Sequence, residues 1–300
     1  MADIAAHEAL PAPGAARKLF DRASASFRAA SVVHDEARDR LLRRLEYVRL
    51  SPETIVDLGC ADGRGARALA ARYPDARVVA VDASRAMLKL AARTLRRQGN
   101  AAVLGGDAER LPLAGNAAQL MLANMVLPWC RAESFFAEGA RVLSDGGLLL
   151  FATLGPDSLQ QVRRAWAAVD DRIHVHGFFD MHDLGDLAVA AGLREPVLDV
   201  DRIELSYRDV GALVRDLRDC GGVNVAAGRR RTLTGPERWK RFERAVLAHK
   251  RDGRFAITVE LIFGQAWGAG VQRRHAEAPG EIAVPASGIG RVSRSRGGAS

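Results

Sequence analysis

Three cysteines in 300 residues, Cys60, Cys130 and Cys220, are too few and too scattered for a disulfide framework or a CxxC metal site. No stretch approaches the roughly 18 apolar residues that a membrane span requires. The opening MADIAAHEALPAPGAARKLF lacks a basic segment followed by an apolar run, so no secretory signal is visible and a reduced, cytoplasmic setting is expected. No Gly-Lys-Ser/Thr follows a glycine-rich turn, which excludes a Walker A loop. No internal repeat is present. Aromatic and basic residues do not interleave as they do where bases stack, so neither nucleic acid nor membrane is expected as a partner.

What is present reads as a globular α/β protein: 48% hydrophobic and 27% charged residues supply a sizeable core. The formal charge of +8 permits an acidic partner but does not name one. Part of it lies in 268–300, where five Arg stand against Glu277 and Glu281 amid Gly, Pro and Ser, a composition expected to be disordered. Residues 1–16, rich in Ala and Pro, are expected to be unstructured as well. Between them, 17–267 read as one domain.

Within that domain 17–49 is helical: 18–27 and 34–49 interleave charge with apolar residues, and Leu41, Leu42, Leu45 and Val48 share one helical face. From Thr54 onward strands and helices alternate. Strands are predicted at 54–58, 77–81, 102–104, 119–123 and 148–154, with helices at 65–72, 84–98 and 134–143. Such alternation implies right-handed crossovers and a mostly parallel sheet covered on both faces. Beyond it, 157–170 and 181–191 read as helices, and 197–207 and 255–267 as strands, for seven strands in all. Two helical patterns, 209–220 and 236–250, form a helical insertion over 208–254, placed as a lid across the strand ends.

The most informative segment is Val56-Asp57-Leu58-Gly59-Cys60-Ala61-Asp62-Gly63-Arg64-Gly65, between the first strand and its helix. Glycines at the carboxyl end of a parallel strand let the backbone turn sharply against a ligand. An acid there, Asp57, can orient cationic or polar ligand groups. Ala61 and Arg64 stand where a dinucleotide fingerprint needs glycine, which argues against NAD or FAD. Asp82 ends the second strand, where an acid accepts from ribose hydroxyls or caps the next helix. Asp107 follows the third strand, where it can accept the adenine exocyclic amine or close an Asx turn. Three acids at the ends of three successive strands make a coherent site.

This spacing resembles the class I S-adenosylmethionine-dependent methyltransferases over about residues 50–155, through Asp57–Gly63, Asp82, Gly106–Leu113 and Gly146-Gly147. The resemblance implies a Rossmann-like sheet and S-adenosylmethionine as cofactor. It places Gly59 and Gly63 beneath the methionine portion, Asp82 on the ribose, Asp107 with Ala108 at the adenine, and Asn124 near the methyl group. Relatives usually carry Gly at position 61. Ala61 adds a methyl group there, which is tolerable where φ is negative.

Over 17–267 the chain resembles the malonyl-acyl-carrier-protein O-methyltransferases of biotin synthesis. Phe20-Asp21-Arg22-Ala23-Ser24 with Phe27, Asn124–Trp129, Phe151–Leu159 and Leu261–Trp267 carry that resemblance. It implies methyl transfer to the free carboxylate of a malonyl thioester on acyl carrier protein. A carboxylate is ionised at neutral pH and needs no strong general base. The protein must position oxygen and methyl in line and exclude water. Arg22, Asn124 and Trp129 are candidates for positioning the substrate, with His174 and His176 as lid residues. Arg22 also reads as a solvated helix residue and Trp129 as a core residue. Alternation places the two histidines on one face, but no third ligand is nearby and a metal site is not expected. Relatives often have Tyr at position 27 and Arg at position 177, where this chain has Phe and Gly. The run Arg229-Arg230-Arg231 with Arg238, Lys240 and Arg241 is either a solvated face or a docking surface for an acidic carrier.

Met181–Gly185 and Asp199–Ser206 also resemble the complex I assembly factors that hydroxylate a protein arginine on a methyltransferase-like fold. Methyl transfer to a small carboxylic acid, or a non-catalytic scaffold that kept the sheet, are the other readings.

Overall fold

The computed structural model describes residues 11, 14–230 and 232–269. The expectations for the rest of 1–16, for 270–300 and for Arg231 lie outside the described residues. Seven strands form one sheet: β1 (Thr54–Leu58), β2 (Arg77–Asp82), β3 (Ala101–Gly105), β4 (Ala118–Asn124), β5 (Leu143–Leu154), β6 (Arg194–Tyr207) and β7 (Phe255–Trp267). Their order is β3-β2-β1-β4-β5-β7-β6. Pairings from β3 through β5 are parallel, and β7 runs antiparallel to both neighbours.

Strand parity separates the two faces, because successive side chains of a strand point to opposite sides. Ile55, Leu120 and Leu148 join Leu41, Leu69 and Ala91 in one core. That core is covered by α3 (Val32–Arg44), α4 (Arg64–Arg72) and α5 (Arg85–Leu95). Val56, Met121 and Leu149 join Phe135, Phe136 and Leu184 in the other, covered by α6 (Ala132–Val142) and α8 (Met181–Ala190).

The helix predicted from 18 to 27 is two pieces, α1 (Ala15–Ala23) and α2 (Phe27–Ala30). Ser24 and Ser26 break it by turning their hydroxyls onto the carbonyls of Asp21 and Ala23, the competition with backbone bonding that makes serine a poor helix-interior residue. The helix predicted from 157 begins only at Gln160, as α7 (Gln160–Ala167). In 208–254 lie α9 (Val210–Asp219), capped by Asp209, and α10 (Pro236–Leu247). They pack on α7 through Trp166, Leu213, Phe242 and Val246, together with Phe255 and Ile257 of β7. Leu154, the last residue of β5, pairs with Leu261, so the start of β7 and the helices on it stand beyond the carboxyl ends of the parallel strands. No helix among the described residues is long and apolar enough to cross a membrane.

Candidate active site

The strand order reverses between β1 and β4, the position where open α/β sheets leave a crevice at their carboxyl ends. A cavity of about 470 Å³ opens there, within the range of small-molecule sites. Its floor is the glycine loop and the strand ends. Asp57 lies near the end of β1 and is buried. Burial pushes its carboxyl up to about 7. A Cβ on Gly65 would stand 2.9 Å from Asp57 Oδ2, so glycine is what lets α4 begin this close to the acid.

The other glycines serve packing. Gly59 has φ +67 and a Cβ there would overlap Val126; Gly63 has φ +80 and a Cβ would lie 2.8 Å from the backbone of Ala91 in α5. Ala61 does not meet the expected condition. Its φ is +46, in the left-handed region where a Cβ crowds the backbone at a cost of roughly 1–2 kcal/mol. That conformation aims its amide at Asp82 Oδ2, 3.0 Å away, and Ser84 N donates to Oδ1 at 2.8 Å. Asp82 is thereby fixed at the cavity wall, while burial raises its pKa. It is not the cap of α5, a role that falls to Ser84, whose Oγ accepts from Met87 N.

Asp107 fulfils the turn reading, since its Oδ1 accepts from Glu109 N at 3.0 Å. It also lines the cavity beside Ala108. Asn124, at the end of β4, donates from Nδ2 to the carbonyl of His34 at 2.9 Å. Its Oδ1 and Asp57 Oδ2 are buried without a hydrogen-bond partner among the described residues. Two such acceptors in one cavity suit a ligand ammonium, with the Asp82 carboxylate available to hydroxyl donors and the backbone at Ala108 to a heterocycle. These groups fit S-adenosylmethionine.

The roof comes from the N-terminal helices. Phe20 meets Trp129 edge-on at 5.2 Å and Phe27 at 6.3 Å, and Phe27 meets His34 at 5.2 Å. This aromatic wall covers one side of the cavity with apolar surface. Two polar clasps hold it down. Asp21 Oδ1 accepts from Ser84 Oγ at 2.6 Å and Ala86 N at 3.1 Å, which lowers its pKa. Arg64, beside the glycine loop, donates to Asp62, to Asp35 at 2.6 Å and to Ser31 at 2.7 Å, joining the loop to α3.

Several sequence-based expectations change. Arg22 is exposed and absent from the cavity lining, whereas Arg17 and Phe20 line it. Two residues turn a helix by about 200°, so Arg22 faces away from Phe20. Trp129 packs between Phe20 and His176, as its core reading expects, and also lines the cavity. The two histidines do not share a face. His174 stacks on Trp166 at 3.8 Å and bonds Asp170 at 2.8 Å, away from the cavity. His176 is buried behind Trp129, held neutral with its pKa lowered to about 4, and its Nε2 accepts from Val225 N at 2.7 Å. It pins the insertion and does not form a lid. Gly177 lines a separate recess near Leu127 and Phe179. In the basic stretch, Arg229, Arg230, Lys240 and Arg241 bond to groups of this chain, and Arg238 lies 3.7 Å from Asp170.

Residues the sequence did not single out include Arg17, His34, Asp35, Arg38 and Arg64, all in the cavity lining. The one signal for them was the spacing of His34 and Arg38, one helical turn apart.

Residues 56–151 match the methyltransferase domain family. A malonyl-[acyl-carrier protein] O-methyltransferase of Laribacter hongkongensis is 41% identical over 260 residues, covering 84% of this chain and 88% of that protein. The one from Halorhodospira halophila is 37% identical over 281 residues, covering 93% and 95%. Among solved structures, a putative methyltransferase from Bacillus halodurans superposes with a TM-score of 0.54 at 19% identity, covering 77% of this chain and 98% of that one. That likeness establishes the fold. With this identity and coverage, the chain belongs to the malonyl-[acyl-carrier protein] O-methyltransferase family, methyltransferases of the class I fold.

Proposed function

We propose that the protein methylates the free carboxylate of a malonyl thioester carried on acyl carrier protein, an early step of biotin synthesis. The observation that carries this is a cavity with acids on its floor and aromatic rings on its roof, in a chain 41% identical to an enzyme of that name. Bound S-adenosylmethionine supplies a methyl group on sulfonium, an electrophile. Asp82 accepts from the ribose hydroxyls, Asp57 and Asn124 accept from the ammonium, and Asp107 with Ala108 faces the adenine, while Gly59, Ala61 and Gly63 shape the loop beneath.

The acceptor carboxylate is already ionised at neutral pH, so the site needs no catalytic base. His34, held neutral with a pKa near 4 by burial, is not placed as one. Trp129, Phe20 and Phe27 exclude water from the nucleophile. Arg64 and Arg131 are paired with Asp62 and Glu109, whereas Arg17 lines the cavity and acts on Asp21 only through its charge. It therefore replaces Arg22 as the cation available to an anionic substrate.

Methyl transfer from labelled S-adenosylmethionine to malonyl-acyl carrier protein tests this, with wild type and Asp82→Ala. Transfer is expected in the wild type. Loss of the Asp82 acceptor, with its charge-assisted bonds, should weaken cofactor binding by ~100-fold. Cofactor binding without transfer to the malonyl thioester would refute the acceptor and favour an arginine hydroxylase or small-carboxylate methyltransferase. No cofactor binding at all would point to a scaffold.

A further inference from the structure

The cations of this chain are matched unevenly from helix to helix. On α3, Arg38, Arg40 and Arg44 pair with the carboxylates of Asp35, Asp39, Glu36, Asp201 and Asp199. On α10, Lys240 meets Glu237 at 3.0 Å, Arg238 stands 3.7 Å from Asp170, and Arg241 donates to the carbonyl of Ala168. The stretch 85–97, which holds α5, differs from both. It carries Arg85, Lys89, Arg93, Arg96 and Arg97 and has no Asp or Glu.

A helix turns about 100° per residue, so Arg85, Lys89, Arg93 and Arg96 fall within roughly 80° of one another. They lie opposite Met87, Ala91 and Leu95, the buried side of α5, and all are exposed. A helix face that serves solvation alone mixes the two signs. Like charges one turn apart repel and weaken the helix that bears them. The row on α5 therefore opposes its own helix and is relieved by an anionic partner.

The place where the row begins shows what it serves. Ser84, just before Arg85, lines the cavity, and its Oγ bonds Asp21 of α1. The charges of Arg17 and Arg85 both act on Asp21, so Arg85 stands at the cavity rim near Arg17, itself a lining residue. From that rim α5 runs roughly 16 Å over the surface, at 1.5 Å per residue. A cavity of about 470 Å³ that also takes the cofactor has room for a malonyl group and none for the protein that bears it. The carrier must rest outside, against the rim. Phosphates of a nucleic acid would also meet cations, but 85–97 has no aromatic residue on which a base could stack.

We propose that Lys89, Arg93 and Arg96, with Arg85 at the rim, form the surface on which an acidic acyl carrier protein docks, and that the basic stretch of the insertion does not. This rests on the carrier-borne malonyl thioester being the acceptor.

Two double reversals test it. Lys89→Glu with Arg93→Glu changes the middle of the row and no residue of the cavity lining; Arg230→Glu with Lys240→Glu does the same on the insertion. Each is assayed with malonyl-acyl carrier protein and with the malonyl thioester of a small thiol, which needs no docking surface. In the wild type, kcat/KM for the carrier-borne acceptor should fall as salt rises, and that for the small thioester should not. The α5 reversal should raise KM for the carrier-borne acceptor by about tenfold or more, leave kcat nearly unchanged and flatten the salt dependence. Turnover of the small thioester should be unaffected, which also reports that the site is folded, and the insertion variant should match the wild type. Equal effects on both acceptors, or none on either, overturn the assignment, as does a rise in KM confined to the insertion variant. Loss of binding to a single-stranded RNA oligonucleotide with carrier kinetics intact would give the face to nucleic acid instead. If the wild type methylates neither thioester, the acceptor reading fails by itself, and direct binding of acyl carrier protein decides the surface. Binding that the α5 reversal abolishes upholds it; equal binding by both proteins, or by neither, overturns it.

Discussion

The floor and the roof of the cavity differ in how far apart along the chain their residues lie. The floor is built from strand ends and the turns that follow them, with Asp82 and Asn124 closing β2 and β4 and Asp57 one residue before the end of β1. The sheet register fixes these positions, because β1 pairs with β2 and β4 residue for residue. The roof joins Phe20 to Trp129 and His34 to Asn124, partners roughly a hundred residues apart along the chain. Nothing in the sheet fixes that meeting; side-chain clasps do, through Asp21 on Ser84 and Arg64 on Asp35. The floor is thus local and backbone-determined, while the roof is remote and set by side chains. On the proposed function, cofactor recognition falls mostly to the first and acceptor recognition to the second.

The largest expected effect separates the two directly. Trp129→Ala removes an aromatic surface between Phe20 and His176. It should lower kcat/KM for the malonyl thioester by ~10- to 100-fold, about 1.4–3 kcal/mol of transition-state stabilisation. Affinity for S-adenosylmethionine should change little; an equal loss in both would show that roof and floor are not separable.

A smaller effect sharpens the account of the floor. The Asp57 carboxyl, raised to about 7 by burial, is partly protonated in the empty site at neutral pH. A raised acid binds its proton more tightly folded than unfolded, so its ionisation penalises the empty protein as pH rises through about 4 to 7. A ligand ammonium favours the ionised form and releases that proton. Cofactor binding should therefore strengthen between pH 6 and 7.5, by less than about tenfold per pH unit. Calorimetry in buffers of different ionisation enthalpy should detect proton release in wild type and not in Asp57→Asn. Equal release in both would remove Asp57 from the ammonium site.

The smallest effect concerns Ala61. Ala61→Gly relieves a left-handed Cβ and should change stability by about +1 kcal/mol or less, since glycine also adds freedom to the unfolded chain. Thermal unfolding measures it, and a fall in midpoint would show that the strain at φ +46 is smaller than the freedom glycine adds to the unfolded chain.

How much of this was legible in the sequence follows the same division. The αβ alternation marked the five parallel strands, and strand patterning alone the last two, because the period of apolar residues changes where helix gives way to strand. The glycine loop and the three acids were legible because strand ends carry them in a fixed order. Arg17 and Arg22 could not be told apart by composition; which of them faces the cavity depends on how α1 is docked, and that is set by Asp21 meeting the start of α5. His174 and His176 alternate in sequence as two residues of a strand would, yet 174–176 form no strand, so alternation gave them no common face.

The sequence by itself determined the doubly covered sheet, the crevice at its switch point and the acids around it, because periodicity and turn chemistry act over a few residues. Only the tertiary structure decided the positive φ of Ala61, the partners of His34 and which arginine lines the cavity. These depend on the docking of helices from distant parts of the chain, where packing and desolvation outweigh any local preference.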